Sequence, residues 1–369
     1  MHKVIIYGAG SIGNHLAHSC RQKDWEVTLC DTDPEALSRT KKQIYPQRYG
    51  AWDDQISLHL AETLPLDNFE LVIIGTPPDT HLDLAIEILE RNPPRVLLIE
   101  KPLCPPSLEK CNHLHRLAKS VRTFVFVGYN HCLTPSSFAA ETLIKENLIG
   151  IPKTLSARFR EYWGGIFSAH PWLDGPKDSY LGFSARGGGA GGEHSHAIHI
   201  WQHFSYLLQM GKIEEVSATL EWVEDGELKY DSLFQASVRT ENGLFGNISQ
   251  DVITEPPEKC LRVQGTKGHL EWSINSHENE DSLKFWGREK EIQEKRYLKT
   301  RPDDFKGEID HIELFLDGKE LQTDSPISLE SGLDVMMVLA AAHASSRLKK
   351  KVKINYNKGY CLDAIEPLS

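Results

Sequence analysis

The sequence predicts two domains of different class: a doubly wound α/β domain with a parallel sheet over 1–128, and an α+β domain with a largely antiparallel, open-faced sheet over 129–369. Three observations carry this prediction. A chain of 369 residues is longer than one ordinary core accommodates and divides naturally in two. Up to Gly128, short and uniformly apolar segments alternate with helical patterns, as parallel strands buried on both faces do. After Tyr129, apolar and polar residues alternate with period two, the mark of strands with one solvated face.

In the first domain the strands read Val4–Tyr7, Glu26–Cys30, Leu71–Gly75, Val96–Glu100 and Thr123–Gly128. Helical spacing fills the intervals at Ser11–Arg21, Pro34–Gln43, Thr80–Arg91 and Ser107–Ser120. In the second, alternation predicts strands at Thr154–Arg160, Val216–Val223, Leu233–Arg239, Leu244–Ile248, Cys260–Gln264 and His269–Ile274. Helices interrupt them at Ser136–Asn147, Ser195–Gln209, Asp304–Leu316 and Leu329–Lys349, which suggests a sheet with helices on one face. The charged stretch Asn275–Lys299 reads as an exposed hairpin region.

Composition narrows the function classes. A formal net charge of −11 provides no footprint for duplex nucleic acid or anionic lipid, and the one dense basic run, Arg347–Lys353, reads as a solvated helix end. The seven cysteines are scattered and never in CxxC spacing, which argues against a disulfide framework or structural zinc and fits a reducing cytoplasm. The chain opens directly on a strand, with no leader pattern and no apolar run of membrane-spanning length, so a protein neither exported nor inserted is expected.

The first strand runs into VIIYGAGSIGNHLA, which sets Gly8, Gly10 and Gly13 in G-x-G-x-x-G between a strand and a helix. Such a turn brings backbone N–H groups, here around Ser11 and Ile12, to a diphosphate at the helix N-terminus. The second strand ends in Asp31, placed to accept from adenosine ribose hydroxyls and to repel a 2′-phosphate. NAD is therefore expected, with NADP the other candidate. At two more strand ends stand Thr76, Pro77 and His81 of TPPDTH, then Glu100 and Lys101 of EKPL. A lysine there can hydrogen-bond a reacting oxygen and stabilise alkoxide character.

GAGSIG, TPPDTH, EKPL, VGYN, GGGA and VQGTKGHLEW occur in the order and spacing of the glucose-fructose oxidoreductase, inositol dehydrogenase and rhizopine catabolism (Gfo/Idh/MocA) family, which the chain resembles over nearly its whole length. The resemblance implies a Rossmann domain binding a nicotinamide cofactor, with Lys101 catalytic. It also assigns cofactor-side roles to Gly8, Gly10, Gly13, Asp31, Thr76, Pro77 and Glu100, and a dimer interface to the open sheet. Aligned on the family's GGG segment, Glu193 takes an acidic position and His196 that of a histidine facing the substrate. His199 replaces an aspartate. Cys132 stands where the family often writes an arginine after the asparagine of VGYN, Asn130.

The segment GGGAGGEHSHAIHIWQH, 187–203, admits two chemistries. Alcohol oxidation releases a proton as hydride leaves, and imidazole suits neutral proton transfer, so His196 is the expected acid–base group with Glu193 its neighbour. A run of glycines disfavours helix, so the following helix is expected to begin near His194 and the glycines to clear space for cofactor and substrate. His196, His199 and His203 share one helical face and could instead ligate a metal, yet HExxH is missing and Glu193 is the one acidic partner at short spacing; no metal is predicted. Upstream, Tyr162, Trp163, His170, Trp172 and Arg186 crowd a loop whose aromatics and cations suit a carbohydrate or sugar nucleotide. The reading is an oxidoreductase acting on a secondary alcohol or ketone of a sugar, sugar nucleotide or cyclic polyol, without nucleic acid or membrane partners. A homodimer or homotetramer through the second-domain sheet is expected. A redox-neutral sugar-modifying enzyme and a non-catalytic sugar sensor stay open beside it.

Overall fold

Lys3–Tyr7 (β1), Glu26–Asp31 (β2), Ile56–Leu60 (β3), Leu71–Ile74 (β4), Val96–Ile99 (β5) and Phe124–Val127 (β6) form a six-stranded parallel sheet in the order β3-β2-β1-β4-β5-β6. The computed structural model describes residues 1–63, 68–168, 170, 172–287, 292–319 and 324–368. β4 and β5 are buried along their whole length, as helices on both faces require. β3 has no counterpart in the sequence pattern, because an edge strand is only half covered and its ISLHL mixes polar with apolar residues.

The register aligns the carboxyl ends of the central strands. Tyr7 pairs with Cys30 and with Ile74, and Ile99 with Val127. One residue further, Gly8 N–H donates to Cys30 O at 2.8 Å, Gly75 N–H to Tyr7 O at 2.8 Å, Glu100 N–H to Ile74 O at 2.9 Å, and Gly128 N–H to Ile99 O at 2.8 Å. Gly8, Gly75, Glu100 and Gly128 thus form one row along the sheet's upper edge. Strand order reverses between β1 and β4, the crevice where open α/β sheets bind ligands.

The compact units differ from a single cut after residue 128. The first comprises Met1–Leu103, His113–Asn130 and Arg301–Leu329; the second comprises Cys104–Asn112, His131–Thr300 and Glu330–Ser369. The helix Arg301–Leu316 belongs to the first unit. There Phe305 stacks on His15 at 4.6 Å, Lys23 pairs with Asp310 and Glu313 at 2.7 Å each, and Arg95 Nε donates to Phe315 O at 2.9 Å. Its amphipathic pattern predicts a buried face but not the sheet that buries it.

The second unit is built on ten strands: Pro152–Arg160 (β7), Ile213–Asp225 (β8), Leu228–Thr240 (β9), Phe245–Asp251 (β10), Glu258–Gly265 (β11), Gly268–His277 (β12), Glu280–Gly287 (β13), Gln293–Leu298 (β14), Val352–Ile354 (β15) and Ile365–Pro367 (β16). Their order is β14-β13-β12-β11-β7-β10-β9-β8-β15-β16, antiparallel except for β7 beside β10. On the covered face the helix His196–Leu207 is anchored by Trp201 Nε1–H donating to Leu155 O at 3.0 Å. The other face shows the period-two alternation, with Ser217, Thr219, Gln235, Ser237, Arg239, Asn247 and Arg262 exposed. Asn275–Lys299 completes this sheet as the β12–β13–β14 meander, residues 288–291 lying outside the described part.

Candidate active site

The glycine-rich turn of the first unit is shaped by two close backbone approaches. A Cβ on Gly8, whose φ is 105°, would lie 2.6 Å from Gly75 O, and one on Gly13 would lie 2.0 Å from Gly8 O. At Gly10 the space is open, with nothing within 4 Å of a Cβ. Gly10 is also the N-cap of the helix Ser11–Arg21, and no side chain caps it, so the N–H groups over Ser11 and Ile12 face that open space. Two glycines pack and the third leaves a cradle that a diphosphate fits.

Asp31 closes the adjacent side. Its Oδ2 accepts from Ala9 N–H at 2.8 Å and its Oδ1 from Asp33 N–H at 3.0 Å, which fixes the carboxylate against the turn. Each oxygen keeps a second acceptor direction for a ribose hydroxyl. Thr76 and Pro77 follow β4, with Thr76 Oγ1 on Thr80 Oγ1 at 2.7 Å and Pro77 capping the helix Pro78–Arg91. His81 is a correction. It is fully buried, its Nε2 lies 2.7 Å from Thr76 O and its Nδ1 3.1 Å from Pro102 O, and burial pushes its imidazole down to about 4. The neutral ring donates to one of these carbonyls and packs beside the other, between the ends of β4 and β5 and away from solvent.

Glu100 is buried, its Oε2 accepts from Lys101 N–H at 3.2 Å, and Gly128 makes room for it: a Cβ there would meet the carboxyl at 2.8–3.0 Å. Lys101 is partly exposed, after β5 and before a cis Pro102. Beneath them lies a residue the sequence did not flag, Glu308. Burial foremost, then Glu100 and Asp304 nearby, pushes its carboxyl well above the usual carboxylate range.

In the second unit the glycine run departs from expectation. Gly189–Glu193 is already a helical turn with Gly188 as N-cap, and the chain re-enters helix at His196–Leu207. Glycine costs about 1 kcal/mol per helical position relative to alanine, but here tertiary packing overrides propensity. Asp231, wholly buried on β9, accepts from Gly191 N–H at 2.7 Å and caps the turn from another strand. A Cβ on Gly189 would lie 2.0 Å from Asp231 Oδ1, one on Gly188 2.2 Å from Tyr180 O, and one on Gly192 2.0 Å from Gly187 O. These glycines give clearance to the protein's own atoms, which corrects their assignment to cofactor and substrate. Burial pushes the Asp231 carboxyl up to about 7.

Within 187–200, only Glu193 and His196 keep solvent exposure. They are three residues apart, with the exposed edge of the packed turn in common. The His196 ring lies against His131 at 4.2 Å, and His131 in turn against Phe159 at 5.9 Å. His131, in the 3-10 turn Asn130–Leu133, escaped the sequence reading, although it directly follows VGYN; nothing in its spacing pointed to His196.

The other substrate-side candidates divide. His199 is buried and parallel to the half-buried His203 at 6.4 Å, and desolvation holds the His203 imidazole down at about 4. Trp163 is also buried, against Tyr230 at 4.8 Å and Phe167 at 5.9 Å, a core contact in place of a sugar platform. Tyr162 is half exposed; His170 is held by its Nδ1 on Ile166 O at 2.6 Å, with its ring on Trp172 at 5.2 Å. Arg186 is partly exposed in the turn Ser184–Arg186, and Asn130 is buried at the end of the first unit. Among the described residues, no three His, Cys, Asp or Glu side chains are placed to hold a metal ion.

The family decides the frame in which these parts are read. Residues 2–129 match the GFO/IDH/MocA oxidoreductase family, NAD-binding Rossmann fold, and residues 139–271 match the GFO/IDH/MocA C-terminal domain. The chain belongs to the GFO/IDH/MocA oxidoreductases. It is an NAD-dependent oxidoreductase, and the open cradle at Gly10 beside Asp31 fits that cofactor.

No curated protein matches this GFO/IDH/MocA sequence significantly. Solved structures do match its fold. Levoglucosan dehydrogenase in complex with NADH and levoglucosan superposes with a TM-score of 0.74 at 18% identity, over 95% of this chain and 98% of that one. An oxidoreductase from Agrobacterium radiobacter in complex with NAD+, L-tartaric acid and magnesium gives 0.71 at 17%, over 95% and 98%. The WlbA dehydrogenase from Bordetella pertussis, in complex with NADH and UDP-GlcNAcA, gives 0.70 at 19%, over the same shares. Among the described residues no helix is long and apolar enough to cross a membrane.

Proposed function

We propose that this GFO/IDH/MocA protein is a dehydrogenase that oxidises a secondary alcohol of a sugar, sugar nucleotide or cyclic polyol, or reduces the corresponding ketone. The observation that carries the reading is the selective exposure of Glu193 and His196 on an otherwise buried helical turn. Buried histidines such as His199 serve packing; an accessible imidazole beside an accessible carboxylate suits proton transfer. Levoglucosan and UDP-GlcNAcA, carried by structures of the same fold, support a carbohydrate-type substrate.

The backbone of Gly8–Gly13 would hold the cofactor's diphosphate and Asp31 its adenosine ribose, with Thr76, Pro77 and Glu100 along the strand ends. Asp31 favours NAD over NADP, because a 2′-phosphate would meet a fixed carboxylate. When bound, the nicotinamide accepts or returns the hydride. Lys101 donates a hydrogen bond to the substrate oxygen and stabilises its developing negative charge. His196 takes the hydroxyl proton in oxidation and returns it in reduction, with Glu193 orienting it. Asn130, Tyr162, His170, Trp172 and Arg186 are the substrate-side groups that remain, Tyr162 and Arg186 offering exposed surface for sugar faces and anions.

Two further features complete the reading. The uncovered sheet face with Gln235, Arg239 and Arg262 is the surface assigned to a homodimer or homotetramer, testable by light scattering. The seven cysteines are all free thiols, which supports a reducing, cytoplasmic setting. The decisive test is Lys101→Ala assayed on a panel of sugars, sugar nucleotides and polyols by nicotinamide absorbance. Turnover should fall about a hundredfold or more while NADH affinity stays within about twofold. Equal loss of cofactor binding would remove Lys101 from the chemistry, and no absorbance change with any substrate would remove the net redox reaction.

A further inference from the structure

The helix Ser11–Arg21, which opens at the phosphate-facing turn, carries an unusual pair of charges on its flank. Arg48, from the helix Tyr45–Tyr49, reaches back to Ser11: its Nη1 donates to Ser11 O and its Nη2 to Ser11 Oγ, each at 2.8 Å. Arg301 begins the helix Arg301–Leu316 and lies over the Phe305 ring at 5.2 Å. Phe305 stacks on His15, which is bonded through Nδ1 to Tyr49 OH at 2.5 Å. Both arginines therefore converge on the same helix from opposite neighbours, all within the first unit.

The pair lacks a counter-charge. Among the described residues, no carboxylate forms an ion pair with Arg48 or Arg301, although the chain carries a net charge of −11 and its other arginines near this helix are matched, Arg21 with Asp53 at 2.9 Å and Arg39 with Asp33 at 3.3 Å. The groups that face the two guanidiniums are neutral: Tyr49, Phe305 and His15. Burial foremost, then Arg48, Arg301 and His18, push the His15 imidazole down to about 3, so it adds no charge. Burial and the field of Arg301 likewise hold Arg48 below its ordinary value. Two mutually repelling guanidiniums, one partly buried, are costly without an anion.

We infer that Arg48, assisted by Arg301, is a cofactor-binding residue of this chain, its guanidinium serving the dinucleotide's diphosphate and locking Ser11 so that the turn presents its N–H groups. The inference rests on the NAD reading above and adds a side-chain cation to a cradle otherwise made of backbone. A helix N-terminus attracts a phosphate through partial charge; a guanidinium supplies a full charge and planar donors. The neighbouring Asp31 sits on the ribose side of the turn, which commits the pair to the diphosphate and not to a 2′-phosphate.

Titrations of the full-length protein with NADH, NADPH, ADP-ribose and adenosine, followed by fluorescence or calorimetry, test this. Arg48→Met should weaken NADH and ADP-ribose about tenfold or more, as loss of a charge-assisted contact does, leave adenosine within about twofold, and flatten the salt dependence of NADH binding. Arg301→Met makes no bond to the turn, so it reads charge alone; a loss of about threefold, shared by NADH and ADP-ribose, is expected. NADH affinity within about twofold of wild type in Arg48→Met overturns the inference. So does a weakening confined to NADPH, which would make the pair a 2′-phosphate site, or a weakening with unchanged salt dependence and intact Arg301→Met binding, which would make Arg48 a purely structural brace. Failure of the wild-type protein to bind NADH at all would count against the cofactor reading itself, before Arg48 enters.

Discussion

The chain has two glycine-rich turns at the start of helices, Gly8–Gly13 and Gly187–Gly192, and they use glycine for opposite reasons. In the first, Gly8 and Gly13 relieve backbone crowding, while Gly10 has nothing within 4 Å and opens to a ligand. In the second, Gly188, Gly189, Gly191 and Gly192 are each blocked by the protein itself, whether by the carbonyls of Tyr180, Leu181 and Gly187, by the Asp231 carboxyl or by Leu339. The first turn is a cradle. The second is a packed wedge that leaves Glu193 and His196 partly exposed at its edge. Composition alone does not separate a turn that receives a molecule from one that receives its own neighbours.

Adding one methyl group at each turn is the strongest way to break this comparison. Gly188→Ala places a Cβ 2.2 Å from Tyr180 O and 2.4 Å from Leu181 O, backbone atoms that cannot step aside. A loss of about 3 kcal/mol or more is expected, read as a fall in the denaturant midpoint. Gly10→Ala meets nothing, so stability should stay within about 1 kcal/mol while NADH affinity drops about tenfold or more. A stable Gly188→Ala, or a Gly10→Ala that binds NADH as wild type does, would erase the distinction.

A subtler probe is Asp231, which caps the second turn. Its folded carboxyl is raised from 3.8 to about 7 by burial, so the folded state holds a proton that the unfolded chain releases. The associated stability is fully present below about 4 and is lost as pH rises through about 7. Denaturation midpoints should therefore decline between about pH 4 and pH 7, and Asp231→Asn, which keeps an acceptor for Gly191 N–H, should remove that share of the decline. A variant with the same pH slope as wild type would assign the titration elsewhere. The first turn has no such buried acid; Asp31 is held by two N–H donors and partly exposed, which sharpens the contrast.

Much of the fold was legible because its signals are local. Uniformly apolar runs marked β1, β2, β4, β5 and β6, and alternation marked most of the second sheet, since burial on one or two faces writes itself into neighbouring residues. The half-covered edge strands β3 and β16, and β15, only three residues long, left no such trace. The cofactor turn was legible for the same reason, a strand, a turn and a helix contiguous in sequence. Residues acting through distant partners were not: Asp231 lies forty positions from Gly191, and no spacing rule connects them.

By itself the sequence determined the class of both domains, the phosphate-facing turn, the acid at the end of the second strand and the histidine-bearing helix, because each depends on residues a few positions apart. Tertiary structure alone decided which histidines and aromatics are available. His81, His199 and Trp163 are drawn into the interior, whereas His196 and Glu193 stay partly exposed, although the sequence offered all five as site candidates. Availability is set by what packs against a side chain, and that is contributed by β9, by the 3-10 turn at His131 and by the ends of β4 and β5, segments far away along the chain.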